Sequence, residues 1–455
     1  MADWVGLIAD ANLAAARSQM AISLGFHIIF AAMGIGFPVM TLIAHRRGLR
    51  HRDAAALQLA KRWAKAMAVL FAVGAVSGTI LSFEMGMLWP GLMGPYGDVI
   101  GLPFALEGVS FFLEAIFIAI YLYGWNRLPA RLHFFTLFPI VAAGIAGSFF
   151  VLSANAWMNS PAGFRIAADG SITDVNPLAA MFNPAVGIQY LHMVLAAYMV
   201  SGFTVAGVYA VGWLKGRRDR LHRLGFMIPF VVAAIAAPVQ IVVGDAATRR
   251  LIDAQPAKFA AIELLTHTQS RAPLSLGGVL VDGEVKGAIE IPALASWLGT
   301  HDVNGVVPGL DSVAPEDQPH ANIVHTSFQI MVAIGTGLLL LALWFGIAWW
   351  RRRDLPASRW FWRLAAPAGI GAMVAVEAGW VTTEVGRQPW IVYGIVRTTD
   401  AVTRAGGIVV SATAIAIVYI ALGTITVAVL RRMAKRFAVG DDAPAPYGPD
   451  SAVSR

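Results

Sequence analysis

The chain contains no cysteine. Disulfides, thiolate metal sites and cysteine nucleophiles are therefore excluded, and the redox compartment cannot be read from thiols. Any metal has to rest on His, Met or carboxylate ligands. Charge is scarce as well: 13% of the 455 residues are Asp, Glu, Lys or Arg, against 57% hydrophobic. With a mean hydropathy of +0.65, this balance lies outside soluble globular domains and inside the polytopic membrane class. A phosphate-cradling Gly-Lys loop, HExxH and a GxSxG context are all absent, as is any internal repeat. The net charge of +7 does not point to nucleic acid, because no soluble basic face carries it; basic residues accumulate on cytoplasmic loops of membrane proteins instead.

What is present is long apolar runs. Runs of about 20 residues, the length that crosses the hydrocarbon core, lie near 19–44, 64–83, 101–124, 132–153, 186–213, 224–244, 323–349, 362–385 and 405–430. The fold class is all-α, a polytopic membrane protein of about nine transmembrane helices. An odd number of spans puts the two ends of the chain on opposite sides, and the loops alternate accordingly. "HRRGLRHRD" with Lys61, Arg62 and Lys65, then Arg127 and Arg131, "KGRRDRLHR", "RRRDLPASR" and "RRMAKR" fall on one side, while Arg165 alone occupies the second and fourth connections. The positive-inside rule makes the basic side cytoplasmic, with the N-terminus outside and the C-terminus inside. The first span reads as permanent, not as a removable signal: it is long, lacks a basic leader and carries His27 in its middle. The organisation is a membrane domain over 1–244, a long external segment over 245–321, a second membrane portion over 322–437 and a disordered cytoplasmic tail over 438–455, "GDDAPAPYGPDSAVSR".

An ionisable group in the middle of a membrane costs about 2.5 to 3.5 kcal/mol on insertion scales and so needs a partner or a purpose. The groups singled out on this ground are His27 in "SLGFHIIF", Glu107 and Glu114 in "FALEGVSFFLEAIF", His192 in "IQYLHMVLAAY", and Glu377 and Glu384 in "EAGWVTTEVGRQPW". Two readings stand for His27 and for His192: a histidine satisfied by a backbone carbonyl, or an axial haem ligand. Glu107 and Glu114 are two helical turns apart and share a face. No basic residue lies in their span, which favours a proton relay or a cofactor contact over a neutral buried pair. Glu377 and Glu384 repeat the spacing. Glu384 lies toward the outer surface, and Glu377 is deeper, beside the small Ala378 and Gly379. The chain holds 16 methionines, so Met331 in "FQIMVAIG" reads by spacing alone as core.

Together these segments resemble subunit I of the cytochrome bd-type quinol oxidases. The resemblance runs from about Arg17 to Arg431 and rests on "RSQMAISLGFH", "FALEGVSFFLEAIF", "LSANAWMNSP", "NPAVGIQYLH", "GDAATR", "AKFAAIE", "FQIMVAIG" and "VEAGWVTTEVGRQPW" recurring in order. It implies that His192 and Met331 are the axial ligands of a low-spin b-type haem. It implies further that His27 and Glu377 ligate two high-spin haems, one b-type and one d-type or a b-type in its place, with the assignment of ligand to haem left open. Glu107 would sit at the oxygen-reducing centre and Glu114 beside it on a proton path. Lys258 and Glu263 match positions of quinol oxidation, which makes the long external segment the quinol-binding loop, with ubiquinol as the substrate. Arg387 lies at the depth of haem propionates or of that loop, and its planar fork suits a propionate. The implied partners are subunit II, with a small single-span accessory subunit allowed, and quinol, dioxygen and the lipid bilayer. The implied location is the bacterial inner membrane, where charge separation accompanies oxygen reduction without a pump.

Three departures limit the carry-over. Gln329 stands where familiar members carry Arg, Met373 stands where they carry Trp, and the external loop is short. The short loop and Gln329 are associated with the cyanide-insensitive branch, and they bear on whether the third haem is d or b. The competing readings are a haem electron-transfer protein that never meets oxygen and a proton-coupled transporter. The transporter predicts repeat symmetry and broken helices and gives no role to the His and Met pairing.

Overall fold

The computed structural model describes residues 2–440 and Tyr447, with side chains from residue 11 onward. Its helices are α1 (Ala2–His51), α2 (Ala54–Leu88), α3 (Pro90–Tyr123), α4 (Ala130–Phe135), α5 (Leu137–Asn159), α6 (Pro177–Met181), α7 (Val186–Leu214) and α8 (Arg220–Ala254). Next come α9 (Pro256–Glu263), α10 (Leu294–Thr300), α11 (Ala321–Arg352), α12 (Arg359–Ala365), α13 (Ala368–Val385), α14 (Thr398–Ala401) and α15 (Ile408–Ala438). Among the described residues eight helices are long and apolar enough to cross a bilayer. The α12 and α13 pair, bent by 40° at a short break, makes a ninth when taken as one span. Pro367 caps α13 at that break, where its missing N–H and its ring interrupt the ladder.

The helices outrun the apolar stretches. The second run ends near residue 83 in hydropathy, yet α2 continues to Leu88, and α3 starts at Pro90, well before 101. Backbone hydrogen bonding carries a helix beyond the hydrocarbon, whereas hydropathy registers only the apolar part. Pro90 at the first position of α3 gives up an N–H that would have had no partner there.

The bundle has a basic end, with the turns near 52, 127, 217 and 353, and a loop end, with the segment between α8 and α11. At the basic end Asp53 caps α2 through Ala56 N and takes Arg220 at 2.7 Å and Arg47 at 3.2 Å, so one carboxylate ties α1, α2 and α8. The interior is aromatic, with Trp157, Trp362, Phe203, Phe226, Phe230 and Phe361 fully buried. The outside is apolar too: Val410 is 73% exposed and Ile420 70%. In water such a surface would drive association. In lipid it is the ordinary outer face.

The long segment is folded. Beyond the short pair β1 (Arg165–Ile166) and β2 (Ile172–Thr173), it carries β3 (Gln269–Ser270), β4 (Leu274–Leu276), β5 (Val279–Val281), β6 (Glu284–Lys286), β7 (Ile289–Ile291) and β8 (Val306–Val307). They pair antiparallel as β3 with β8, β4 with β7 and β5 with β6. Beneath them Phe259, Ile262, Leu265, Val307 and Leu310 close a small core against Val324 of α11. Buried His325 fixes the arrangement, its two ring nitrogens lying 2.6 Å from Ile262 O and 2.9 Å from Gly277 O. Gln329, the departure noted above, donates to Ser275 O of β4 at 3.1 Å, so it ties α11 to the loop.

Candidate functional site

The structure brings the sequence-selected residues to two depths of one bundle. At the deeper level α1 meets α13. A Cβ placed on Gly25 would lie 3.3 Å from Glu377 Oε2, so the Glu377 carboxyl rests on α1 two residues from His27. Its other oxygen, Oε1, is buried without a hydrogen-bond partner. On the α2 side His27 Nδ1 is 2.9 Å from Ser77 Oγ. The Ser77 hydroxyl lies 3.0 Å from Val73 O and 3.1 Å from Gly74 O, both acceptors, so its single hydrogen is spent on the backbone. Ser77 Oγ must then accept from His27 Nδ1–H, and this leaves the lone pair on Nε2. Ligation of a metal through Nε2 needs that tautomer.

Glu114 lies between α1, α3 and α5. Its Oε1 is 4.0 Å from a Cβ placed on Gly34 and 3.8 Å from one placed on Gly144. Glu107 is on the same face of α3, two turns toward the loop end, and both carboxylates are half-buried. His192 on α7 lies against Gly244 of α8, its Cε1 3.2 Å from where a Cβ would be. The Gln240 amide lies 3.1 Å from His192 Nε2, while His192 Nδ1 and Gln240 Oε1 are both buried and unpartnered. Met331 on α11 sets its Sδ 2.9 Å from a Cβ position on Gly379 of α13. His192 and Met331 do not touch: they project from α7 and α11, and these pack on α13 and α8.

The second level is at the loop end. Arg387, 2% exposed, forms an ion pair through Nη2 with Glu384, while its Nε and Nη1 are buried with no partner. Glu384 also accepts from Asn155 at 2.9 Å. Beside them Lys258 donates to Asn159 Oδ1 at 3.1 Å, with its stem against Gly386. Burial first, and the Arg387 guanidinium second, push the Lys258 ammonium down to about 7, with Glu384 opposing. Burial pushes the Glu263 carboxyl up to about 7, and its Oε2 has no partner.

Sequence reasoning missed Glu84. It is 1% exposed and accepts from Gln19 and Ser23 of α1 at 2.9 Å each. The apolar run ends just before it, so it reads as a loop carboxylate until α2 is seen to continue. Asn155 and Asn159 lie within a quoted segment, yet nothing in their spacing marks them as partners of Glu384 and Lys258.

Among the described residues no group of three or more His, Cys, Asp or Glu could enclose a metal ion. The residues present fit the iron of a macrocycle instead. Single His, Met and carboxylate donors suit axial ligation, and the orphaned guanidinium nitrogens suit acidic side arms. The fold and these sites define a polytopic helical membrane protein equipped for haem. The sequence model of "Cytochrome bd terminal oxidase subunit I" matches residues 15–438. The chain is 36% identical to a Bacillus subtilis (strain 168) protein named as a cytochrome bd menaquinol oxidase subunit I, over 95% of this chain and 98% of that one. It is 30% identical to a cytochrome bd ubiquinol oxidase subunit 1 of the same organism, over 95% of each. The solved bd oxidase from Geobacillus thermodenitrificans superposes with a TM-score of 0.88 at 36% identity, covering 93% of this chain and 98% of that one. The chain belongs to the cytochrome bd terminal oxidase subunit I family.

Proposed function

We propose that this subunit oxidises quinol at the loop end, on the outer face of a bacterial inner membrane, and reduces dioxygen to water with protons drawn from the basic, cytoplasmic end. The observation that carries this reading is the buried, unpartnered Glu377 Oε1 of a carboxyl resting on Gly25 of α1, with His27 two residues on turned to the α2 side of the same helix. Bound haem supplies one-electron transfer and the place where oxygen is reduced. His192 and Met331 would hold a low-spin b-type haem. His27 and Glu377 would hold two high-spin haems, one of b-type and one of d- or b-type. Glu107 and Glu114 hold protons on one face of α3 for water formation. Lys258 and Glu263 bind the quinol hydroxyls, and Glu263 Oε2 takes the proton that leaves. The relatives' names divide between menaquinol and ubiquinol, and we assign the substrate as a quinol, ubiquinol being the first to try. Subunit II is the partner. Quinol-driven oxygen uptake by the two-subunit complex tests the proposal; haem-loaded complex that takes up no oxygen would reject it.

Two narrower outcomes follow from the geometry. Arg387→Lys retains the charge but loses the planar fork and its two free donors; haem content or quinol turnover should fall. If both are intact, Arg387 caps the loop end and nothing more. Ser77→Ala removes the acceptor that fixes the His27 tautomer, and such outer partners are worth roughly 10- to 100-fold in metal affinity or activity. The high-spin signal should weaken on haem titration while the low-spin signal stays.

A further inference from the structure

The basic end of the bundle holds a second cluster of titratable side chains, outside both levels of the site. His45 of α1, Tyr121 of α3, Trp125 in the turn after α3 and His133 of α4 form a cage, and Tyr447, beyond the end of α15, is seated in it. His45, Tyr121 and His133 are 0% exposed and Trp125 5%. The Tyr447 ring stacks on Trp125 at 5.5 Å and 18°. Its hydroxyl lies 3.0 Å from His45 Nε2 and hydrogen-bonds His133 Nδ1.

The directions of these bonds are determined. His133 Nε2 is 2.7 Å from the Tyr121 carbonyl oxygen, which only accepts, so His133 carries its hydrogen there and Nδ1 is the acceptor. Tyr447 O–H therefore donates to His133 Nδ1. With its hydrogen spent, the Tyr447 oxygen accepts from His45 Nε2–H. His45 Nδ1 is then an acceptor, and the Tyr121 hydroxyl 3.0 Å away donates to it. The ring closes with both imidazoles neutral and every polar side-chain hydrogen of His45, Tyr121, His133 and Tyr447 used within it, while the cage's Trp125 Nε1–H is buried without a partner. Tyr447 stays a phenol, because burial raises its pKa well above the usual tyrosine range.

The position of the cage gives it a consequence. Glu107, Glu114 and Tyr121 recur every seven residues and lie along one face of α3, so the cage is the basic-end terminus of the carboxylate face. No hydrogen of the ring points onward to Glu114. A cavity of about 250 Å³ bounded by Lys61, Lys65, Tyr123, Trp125 and Arg127 adjoins it, and a solvent path to the cage would start there. We propose that Tyr447 is a removable stopper: seated, its ring closes the basic end of the carboxylate face, and unseated it opens that face to protons. This rests on the reading that Glu114 and Glu107 carry protons inward.

The test uses the intact two-subunit oxidase and a histidine-acylating reagent read out by mass spectrometry. In the native protein His45 and His133 should be protected while the exposed His51 is labelled. In Tyr447→Ala both should be labelled to the level of His51. Tyr447→Phe, which keeps the stack and loses the hydroxyl bonds, should fall between, and an unchanged haem spectrum in both variants shows that the fold is intact. Equal labelling in native and variant protein overturns the proposal. Proton uptake after an oxygen pulse should be faster in Tyr447→Ala; slower uptake would make the ring a relay and overturn the stopper. Raised labelling with unchanged uptake also overturns it. In that case, loss of uptake in Glu114→Gln would show that the carboxylate path stands and the stopper alone has failed.

Discussion

Replacing His192 by alanine, or Met331 by leucine, is expected to abolish the low-spin haem signal in the reduced-minus-oxidised spectrum while the high-spin signals persist. The expectation is close to all-or-none because neither alanine nor leucine offers an iron a donor atom. His192 faces Gly244 and Gln240, and Met331 faces Gly379. His and Met together close both faces of an iron, which suits outer-sphere electron transfer. A single His or carboxylate leaves one face open, which suits oxygen. In the proposed assignment the two kinds of centre use different residues on different helix pairs, so their signals should separate cleanly. Loss of the high-spin signals in either variant would mean that the ligands have been assigned to the wrong haems.

Glu263→Gln should lower quinol-driven turnover by roughly 10²- to 10⁴-fold, the range that a positioned general base contributes, with haem content unchanged. Glu263 accepts a proton only as the carboxylate. Because burial raises its pKa to about 7, the active ionised fraction grows as pH rises through neutrality. Turnover should therefore climb from about pH 6 to about pH 8 in the native oxidase, and the glutamine variant should lose that limb. The Lys258 ammonium, lowered to about 7 by burial and Arg387, loses its charge over the same range, so it is loss of the limb in the glutamine variant that assigns it to Glu263. A flat profile in the native protein would remove Glu263 from the role of base.

The membrane architecture was legible because lipid permits little else: apolar runs of spanning length and alternating basic loops determine the helices and their order. The i, i+7 spacing was enough to put Glu107 and Glu114 on one face. Depth was harder to read. Glu84 fell outside its apolar run and Arg387 followed a Gly, yet both are buried, because α2 extends past its hydropathic end and the loop folds over α13. Met331 could not be told from fifteen other methionines by spacing; it took the resemblance to single it out, and its approach to Gly379 is visible only in three dimensions. Gln329 read as a lost charge and proves to hold Ser275 of the loop. The cage around Tyr447 joins residues more than 300 positions apart in sequence, as His133 and Tyr447 are, and no local pattern carries such a pairing. The expectation of a disordered tail falls mostly on residues outside those described, with Tyr447 the packed exception.

The most direct measurement is a reduced-minus-oxidised spectrum of the purified two-subunit complex, followed by oxygen uptake on addition of quinol. Low-spin and high-spin haem bands with quinol-driven oxygen consumption are the expected result. A spectrum without haem bands would contradict the account outright, and haem bands without quinol-driven uptake would leave an electron-transfer protein in place of an oxidase.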